Sequence, residues 1–380
     1  MARVVVAMSG GVDSSVAALL LKRAGHEVIG VFMRTGVQHE GDACEPRHKQ
    51  GCCSALDAQD ARRVADRLDI PFYAFDYAEE FDRIITYFAD EYASGRTPNP
   101  CVVCNTWLKF GKLWHQARRL GADCIATGHY ARIVQNGGSY ELHRAVDLDK
   151  DQSYVLFGLR VEILSNLLLT VGEFTKTQIR ALAREANLPV SEKPDSQEIC
   201  FVPAGRYVEV VRKRRPDLGR KGVFLDRDGN VLGEHPGIEN FTVGQRKGLG
   251  IATGSRRFVL EIIPSRDAVV LGSREDCLVS GLLAERVNWL IPPPSELVRC
   301  EVKIRYRSRP AQAWVKPLAA DTAEVRFDEP QMAVTPGQAA VFYDGSRVLG
   351  GGWIAKPLRH HATGIEEPAY SSGSPSSVGE

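Results

Sequence analysis

The stretch ARVVVAMSGGVDSSVAALLL at the start of the chain leaves few folds open. Residues 3–8 form a short β-branched run that reads as a buried strand, Gly10 and Gly11 sit where the backbone must turn sharply, and residues 14–21 carry the Ala and Leu content of a helix. Ser14 or Asp13 is placed to cap that helix. A strand, glycine loop and helix in succession aim unpaired backbone N–H groups and the positive end of a helix dipole at one point, which suits a phosphate or pyrophosphate. No Lys-Ser/Thr pair follows the glycines, so the loop is not a Walker A motif.

The next two hundred or so residues alternate in the same way. Residues 26–33 (HEVIGVFM), 71–75 and 124–127 (CIAT) read as strands; residues 56–68, 79–92 and 107–120 read as helices. Strands separated by helices of this length predict a doubly wound parallel sheet that binds its ligand at the carboxyl ends of the strands, where Gly10, Gly11 and the Gly128-His129-Tyr130 step lie. The prolines of SGRTPNPCVVCN predict a loop carrying Cys101 and Cys104. Near residue 203 the alternation stops. RKRRPDLGRKG (212–222) is dense in positive charge, GVFLDRDGNVLGEH reads as a hairpin turning at Asp228-Gly229, and from about Leu278 onward the chain is β-rich and helix-poor, as in a small antiparallel barrel. The expected division is 1–208 for a nucleotide-binding α/β domain, 209–277 for a small central domain, 278–358 for the barrel and 359–380 for a Ser/Gly/Pro-rich disordered tail.

Charge narrows the function classes. Forty-eight Lys and Arg against 47 Asp and Glu give a net charge of +1, so any nucleic-acid surface must come from local segregation of charge. The N-terminal residues lack a secretion-signal pattern and no window approaches 18 uninterrupted apolar residues, so the expected compartment is the cytoplasm, with no membrane partner. Nine cysteines there are expected to be reduced unless catalytic, metal-bound or buried. Cys124 reads as core, Cys277 and Cys300 have no distinguishing context, and Cys44, Cys52 and Cys53 read as idle loop thiols. The Cys101-x-x-Cys104 pair, with Cys200 about a hundred positions on, leaves a zinc half-site, a redox pair and a cluster ligand set all open.

The first loop resembles the SGGxDS pyrophosphate loop of enzymes that split ATP into AMP and pyrophosphate, which implies that Ser9, Gly10, Gly11, Ser14 and Ser15 hold pyrophosphate while Asp13 helps to place Mg2+. SGGVDSS, VFM, GRTPNPCVVCNTWLKF, ATGHYAR, DKDQSYVL, PDSQEICF, VGQRKGLGI and VTPGQAAVFYDG occur in the order found in tRNA-specific 2-thiouridylases, and the resemblance covers about residues 1–358. It implies ATP-dependent exchange of the C2 oxygen of a wobble uridine for sulfur. The nucleotide would lie on Ala7, Met8, Ser9, Gly10, Gly11, Val12, Asp13 and Ser14, flanked by Met33 and Gly128; Cys104 would be the nucleophile and Cys200 the persulfide carrier, the two closing a transient disulfide. Cys104 would act either by closing that disulfide or by releasing sulfide beforehand. A persulfide-bearing protein, a cysteine desulfurase or a relay, would be the sulfur donor.

The chain departs from the family at Cys101, where many members carry an Asp. Cys101, Cys104 and Cys200 would then be candidate ligands of an iron–sulfur cluster with one open iron. The resemblance maps RNA contacts onto Asn99, Pro100, Cys101, His129, Lys150, Asp151, Gln152, Arg305, Tyr306 and Gln338, and the basic runs at 212–215, 246–247 and 256–257 would add phosphate-binding charge. Two rival readings are another pyrophosphate-loop ligase or amidotransferase, which would need no paired loop cysteines, and a non-catalytic RNA- or metal-binding protein, for which the SGGVDSS loop would be superfluous.

Overall fold

The chain is described here by a computed structural model over residues 1–37, 55–195, 199–203, 205–251 and 255–359; Cys44, Cys52, Cys53 and residues 360–380 of the expected tail lie outside the described residues. Five parallel strands form the first sheet: β1 (Arg3–Ala7), β2 (Glu27–Arg34), β3 (Phe72–Asp76), β4 (Cys124–Thr127) and, after two strands that leave this sheet, the short β7 (Leu167–Leu168). Their order is β3-β2-β1-β4-β7, so the winding reverses between β1 and β4 and opens a crevice at Ala7 and Thr127. Side-chain alternation along β1 explains why both faces are covered. Val5 joins a core with α3 (Ala78–Ala93), while Val4 and Val6 join another with α1 (Val12–Arg23) and α2 (Ala55–Leu68), and all three valines are fully buried.

The segment expected to be a loop around the two cysteines is helical. Asn99 accepts from the Val102 N–H and Pro100 occupies the first helical turn, where a missing N–H costs nothing, so α4 (Pro100–Val103) starts at the proline. It runs on through a π-helical stretch, Cys104–Leu113, into α5 (Trp114–Arg119). Prolines that read as breakers are here a helix start.

A hairpin, β5 (Ala131–Asn136) and β6 (Ser139–Arg144), follows β4 but belongs to another sheet. Beyond it, α6 (Lys176–Glu185) begins with a full capping box between Thr175 and Gln178, and α7 (Tyr207–Arg214) leads into the central segment. There β8 (Gly222–Leu225), β9 (Val231–His235), β10 (Phe258–Ile263) and β11 (Ala268–Gly272) form a sheet ordered β10-β11-β8-β9. The β8–β9 hairpin turns where Asp228-Gly229 predicted.

The last sheet is a closed antiparallel barrel. β12 (Leu278–Trp289), β13 (Val298–Lys303), β14 (Ala311–Ala319), β15 (Thr322–Met332), β16 (Ala339–Asp344) and β17 (Arg347–Leu358) are ordered β12-β15-β14-β13-β16-β17, and β12 also pairs with β17 to close the circuit. The β5–β6 hairpin extends it beside β17: the Arg144 N–H donates to the Ser346 carbonyl at 2.7 Å, Arg347 pairs with Glu141 at 3.1 Å and the Arg144 guanidinium sits 4.0 Å from the Tyr343 ring centroid. The α/β segment and the barrel are therefore stitched together directly. Among the described residues no helix is long and apolar enough to cross a membrane.

Candidate active site

One cavity of about 1270 Å3 opens at the β1/β4 crevice and is bounded on another side by the barrel. Its nucleotide end is built by the glycine loop. Gly10 adopts φ +73°, and a Cβ there would lie 2.2 Å from the Asp57 carbonyl oxygen, so only glycine lets α2 approach. Helix α1 then starts at Val12 with Gly11 as an uncapped N-cap, which corrects the expected Ser14 or Asp13 cap. The serines close the loop on itself instead. Ser14 Oγ accepts from the Ser9 N–H at 3.1 Å and lies 3.2 Å from Ser9 Oγ, and Ser15 Oγ donates to the Gly11 carbonyl at 2.7 Å. The helix's first-turn N–H groups have no partner within the helix and stand at the cavity wall.

Ala7, Met8, Ser9, Gly11, Val12, Asp13, Ser14, Met33 and Gly128 all line the cavity. Gly10 and Ser15 do not; both support the wall from behind. Gly128 is required by contact rather than by torsion: a Cβ there would sit 2.5 Å from the Ser14 nitrogen.

Asp13 occupies the first turn of α1 as a half-buried, fully engaged carboxylate, not an exposed turn residue. It accepts from Tyr130 Oη at 2.9 Å and from Lys176 Nζ at 2.8 and 3.0 Å. Lys176 also reaches Asp195 at 2.7 Å, and Asp195 is met by Lys150 and Arg180, each at 2.9 Å. Burial would raise the Asp195 pKa, but the bonds from Lys176 and Lys150 outweigh it and hold the carboxyl below its usual range. On the other flank, Lys193 Nζ bonds the Gly10 carbonyl at 3.0 Å, Asp57 at 2.6 Å and Asp60 at 2.8 Å. The Lys176 ammonium thus stands between Asp13 and Asp195.

Lys176, Lys193 and Asp195 escaped the sequence reading, although the Thr175-x-x-Gln178 box marks a helix start with Lys176 as its first residue. Asp195 also stands in the PDSQEICF block, which carries the resemblance without showing what Asp195 meets.

Cys104 and Cys200 are half-buried and line the same cavity, with Cys101 exposed one turn before Cys104. Among the described residues no group of three or more His, Cys, Asp or Glu side chains is disposed to hold a metal ion. Cys101, Cys104 and Cys200 belong to no such group among the described residues.

The expected RNA contacts divide. Asn99, Pro100, Cys101, His129, Lys150, Gln152 and Tyr306 line the cavity. His129 is buried, its Nδ1 2.7 Å from Thr127 Oγ1, and burial followed by the nearby Lys109 charge keeps the imidazole neutral by pushing its pKa well down. Asp151 also borders the cavity, but its carboxylate is committed to its own turn, accepting from the Ala145 and Ser153 N–H groups and from Ser153 Oγ. Gln338 points elsewhere, donating to the Thr97 and Pro98 carbonyls at 3.1 and 3.0 Å, where it buttresses the turn before α4. Arg305 is likewise turned inward. Of the basic run at 212–215, Arg212, Arg214 and Arg215 pair with Glu239, Asp82 and Asp90.

A glycine-loop nucleotide site at the switch of a parallel sheet, sharing its cavity with three cysteines and flanked by two β-rich units, defines an α/β nucleotide-binding enzyme with appended barrels. Family models agree, matching residues 2–204 as "tRNA methyl transferase HUP domain", 209–273 as "tRNA methyl transferase PRC-barrel domain" and 279–354 as "Aminomethyltransferase beta-barrel domain". The chain is similar to "tRNA-specific 2-thiouridylase MnmA" from Rhodopirellula baltica, with 49% identity over 97% of this chain and 100% of the relative, and to the protein of the same name from Geotalea uraniireducens, with 51% identity over 93% and 94%. The chain belongs to the tRNA-specific 2-thiouridylase family. A solved 4-thiouridine synthetase–RNA complex with bound ATP covers 57% of this chain and 51% of its own at 16% identity and a TM-score of 0.33, too slight a likeness to carry weight.

Proposed function

We propose that this enzyme thiolates C2 of the wobble uridine of tRNA at the expense of ATP. The observation that carries this reading is that the glycine loop, Cys104, Cys200 and a basic barrel loop line one cavity, so nucleotide, sulfur and base can meet there. ATP lies with its phosphates on the first turn of α1, where the helix N-terminus meets their charge. The C2 oxygen of the uridine attacks the α-phosphorus and pyrophosphate leaves, which makes that oxygen part of a good leaving group. The terminal sulfur of a Cys200 persulfide then attacks C2 and AMP departs. A Cys104 thiolate attacks the Cys200 sulfur, breaks the S–S bond, leaves a C2=S group on the base and closes a Cys104–Cys200 disulfide. Mg2+ enters as the companion of ATP; an external dithiol reductant returns the disulfide to two thiols by thiol–disulfide exchange, being oxidised itself, and a persulfide-bearing donor protein then recharges Cys200. Residues 1–208 carry the chemistry, 209–277 and 278–358 grip the RNA, and the place of action is the cytoplasm.

Thiouridine formation and pyrophosphate release test this. Cys104→Ser and Cys200→Ser are each expected to abolish thiolation while tRNA-dependent pyrophosphate release persists, and Cys101→Ser to retain much of the wild-type rate. Asp13→Ala is expected to abolish both, because Lys176 and Tyr130 lose the carboxylate that orders them. ATP turnover indifferent to tRNA would sink the reading.

A further inference from the structure

A lysine ammonium has three N–H donors, and Lys193 commits all of them inside the fold. Its Nζ donates to the Gly10 carbonyl at 3.0 Å, to Asp57 at 2.6 Å and to Asp60 at 2.8 Å, across 183, 136 and 133 residues of chain. Burial would lower its pKa, but the bonds to Asp57 and Asp60 outweigh that and keep the ammonium charged. Lys193 borders the cavity, yet no donor is left over for a phosphate. What it holds instead is the glycine loop, through the carbonyl of Gly10, whose left-handed torsion lets α2 approach.

The same lysine begins the segment that carries Cys200. Arg180 of α6 donates to the Ser191 and Lys193 carbonyls at 3.2 and 3.1 Å and to Asp195 at 2.9 Å, while Lys176 joins Asp195 to Asp13. Directly after Cys200, the buried Phe201 meets Phe81 and Phe88 of α3 edge-on, with ring centroids 5.7 and 5.2 Å apart. Cys200 is therefore held between two anchors. One is apolar and lies in the core; the other is ionic and rests on the loop at the nucleotide end of the cavity.

We propose that Lys193 is a positioning residue that couples nucleotide binding to the reactivity of the Cys200 sulfur, because it holds the Gly10 carbonyl and the start of the Cys200 segment in one cluster. This rests on the reading that ATP occupies the glycine loop and Cys200 delivers sulfur. Coupling between two sites is reciprocal, so a ligand that stiffens the loop stiffens the segment by the same free energy. With nucleotide bound, the Cys200 sulfur is held at the cavity wall and reacts slowly with outside electrophiles; with the loop empty it is more open to them.

Alkylation of Cys200 by iodoacetamide, located by peptide mass spectrometry on the full chain, tests the coupling with and without Mg2+ and the α,β-methylene analogue of ATP. Saturating analogue is expected to slow Cys200 alkylation in the wild type on the order of tenfold. Lys193→Met is expected to bind the analogue about tenfold more weakly and, once saturated, to alkylate within about twofold of its nucleotide-free rate. Asp60→Ala leaves the bonds to Gly10 and Asp57 and is expected to cut the protection about threefold. Plain shielding of the thiol by a nucleotide in the same cavity would protect saturated Lys193→Met as fully as wild type, and that result overturns the proposal. Wild type that binds the analogue with no change at Cys200 overturns it too. If circular dichroism shows Lys193→Met to be unfolded, Asp60→Ala decides, and undiminished protection there overturns the coupling. Wild type that binds no analogue at all overturns the ATP reading beneath it.

Discussion

The arginines at 212–215 and at 305–309 are similarly dense in sequence, and the fold uses them in opposite ways. In the first stretch, at the end of α7, Arg214 reaches Asp82 and Arg215 reaches Asp90, both on α3, while Arg212 donates twice to Glu239, whose side chain is fully buried. Stacking of Tyr92 on Tyr207, with ring centroids 5.0 Å apart, seals the same seam. In the second stretch Arg305 donates inward to Thr335 Oγ1 at 2.8 Å, while Arg307 and Arg309 border the cavity. Clustering along the chain is therefore not segregation in space. What decides is whether carboxylates from another element are folded against the cluster, and the acidic α3 lies under the first stretch only.

The comparison is put at greatest risk by Arg212→Ala. It strips a buried carboxylate of a cation that is itself half exposed, and the folded chain is expected to lose about 1–3 kcal/mol in urea denaturation. Adding Glu239→Gln should recover part of that loss, and the slope of log tRNA affinity against log salt should stay where it was. A flattened slope without loss of stability would erase the distinction between the two stretches.

Arg214→Ala and Arg215→Ala break exposed pairs and are expected to cost between about 0 and 1 kcal/mol each, read best as faster amide exchange where α7 meets α3. The smallest effect is on pH. The hydrogen bond from Arg214 holds the Asp82 carboxyl below its usual range, and Arg215 does the same for Asp217. A carboxylate depressed in the folded state contributes stability that is present above its unfolded pKa, near pH 4, and is lost as pH falls through the folded value. Replacing Arg214 and Arg215 together should therefore blunt acid unfolding below about pH 4, whereas Arg307→Ala/Arg309→Ala should leave that curve in place.

How much of this was legible in the sequence follows from how local each cause is. The strand–glycine–helix opening is fixed by neighbours, and its expected elements lie within a few residues of β1 and α1. Cys101 and Cys104 were read as loop residues because prolines break helices in general; Pro100 sits at the one helical position that tolerates it, behind an Asn99 cap. Asp13 with Lys176, and Gly10 with Lys193, lie 163 and 183 residues apart, so no window of sequence contains either contact. The same holds for the arginines. Their partners were invisible until α3, the central segment and the barrel were placed against one another.

The β5–β6 hairpin adds a timing problem to this architecture. His143 bonds Ser346 Oγ at 2.8 Å across a separation of 203 residues. At the pace of translation, roughly 5–20 residues per second, the hairpin leaves the ribosome roughly ten to forty seconds before β17 exists. For that interval β6 is a strand edge awaiting a partner, and such edges recruit other chains. A chain truncated after residue 276 is expected to keep that edge and to self-associate on size-exclusion chromatography; a monomer would show that the hairpin protects itself. In a cell the exposure falls on the nascent chain, and it ends when Arg347 of β17 pairs with His143 of β6.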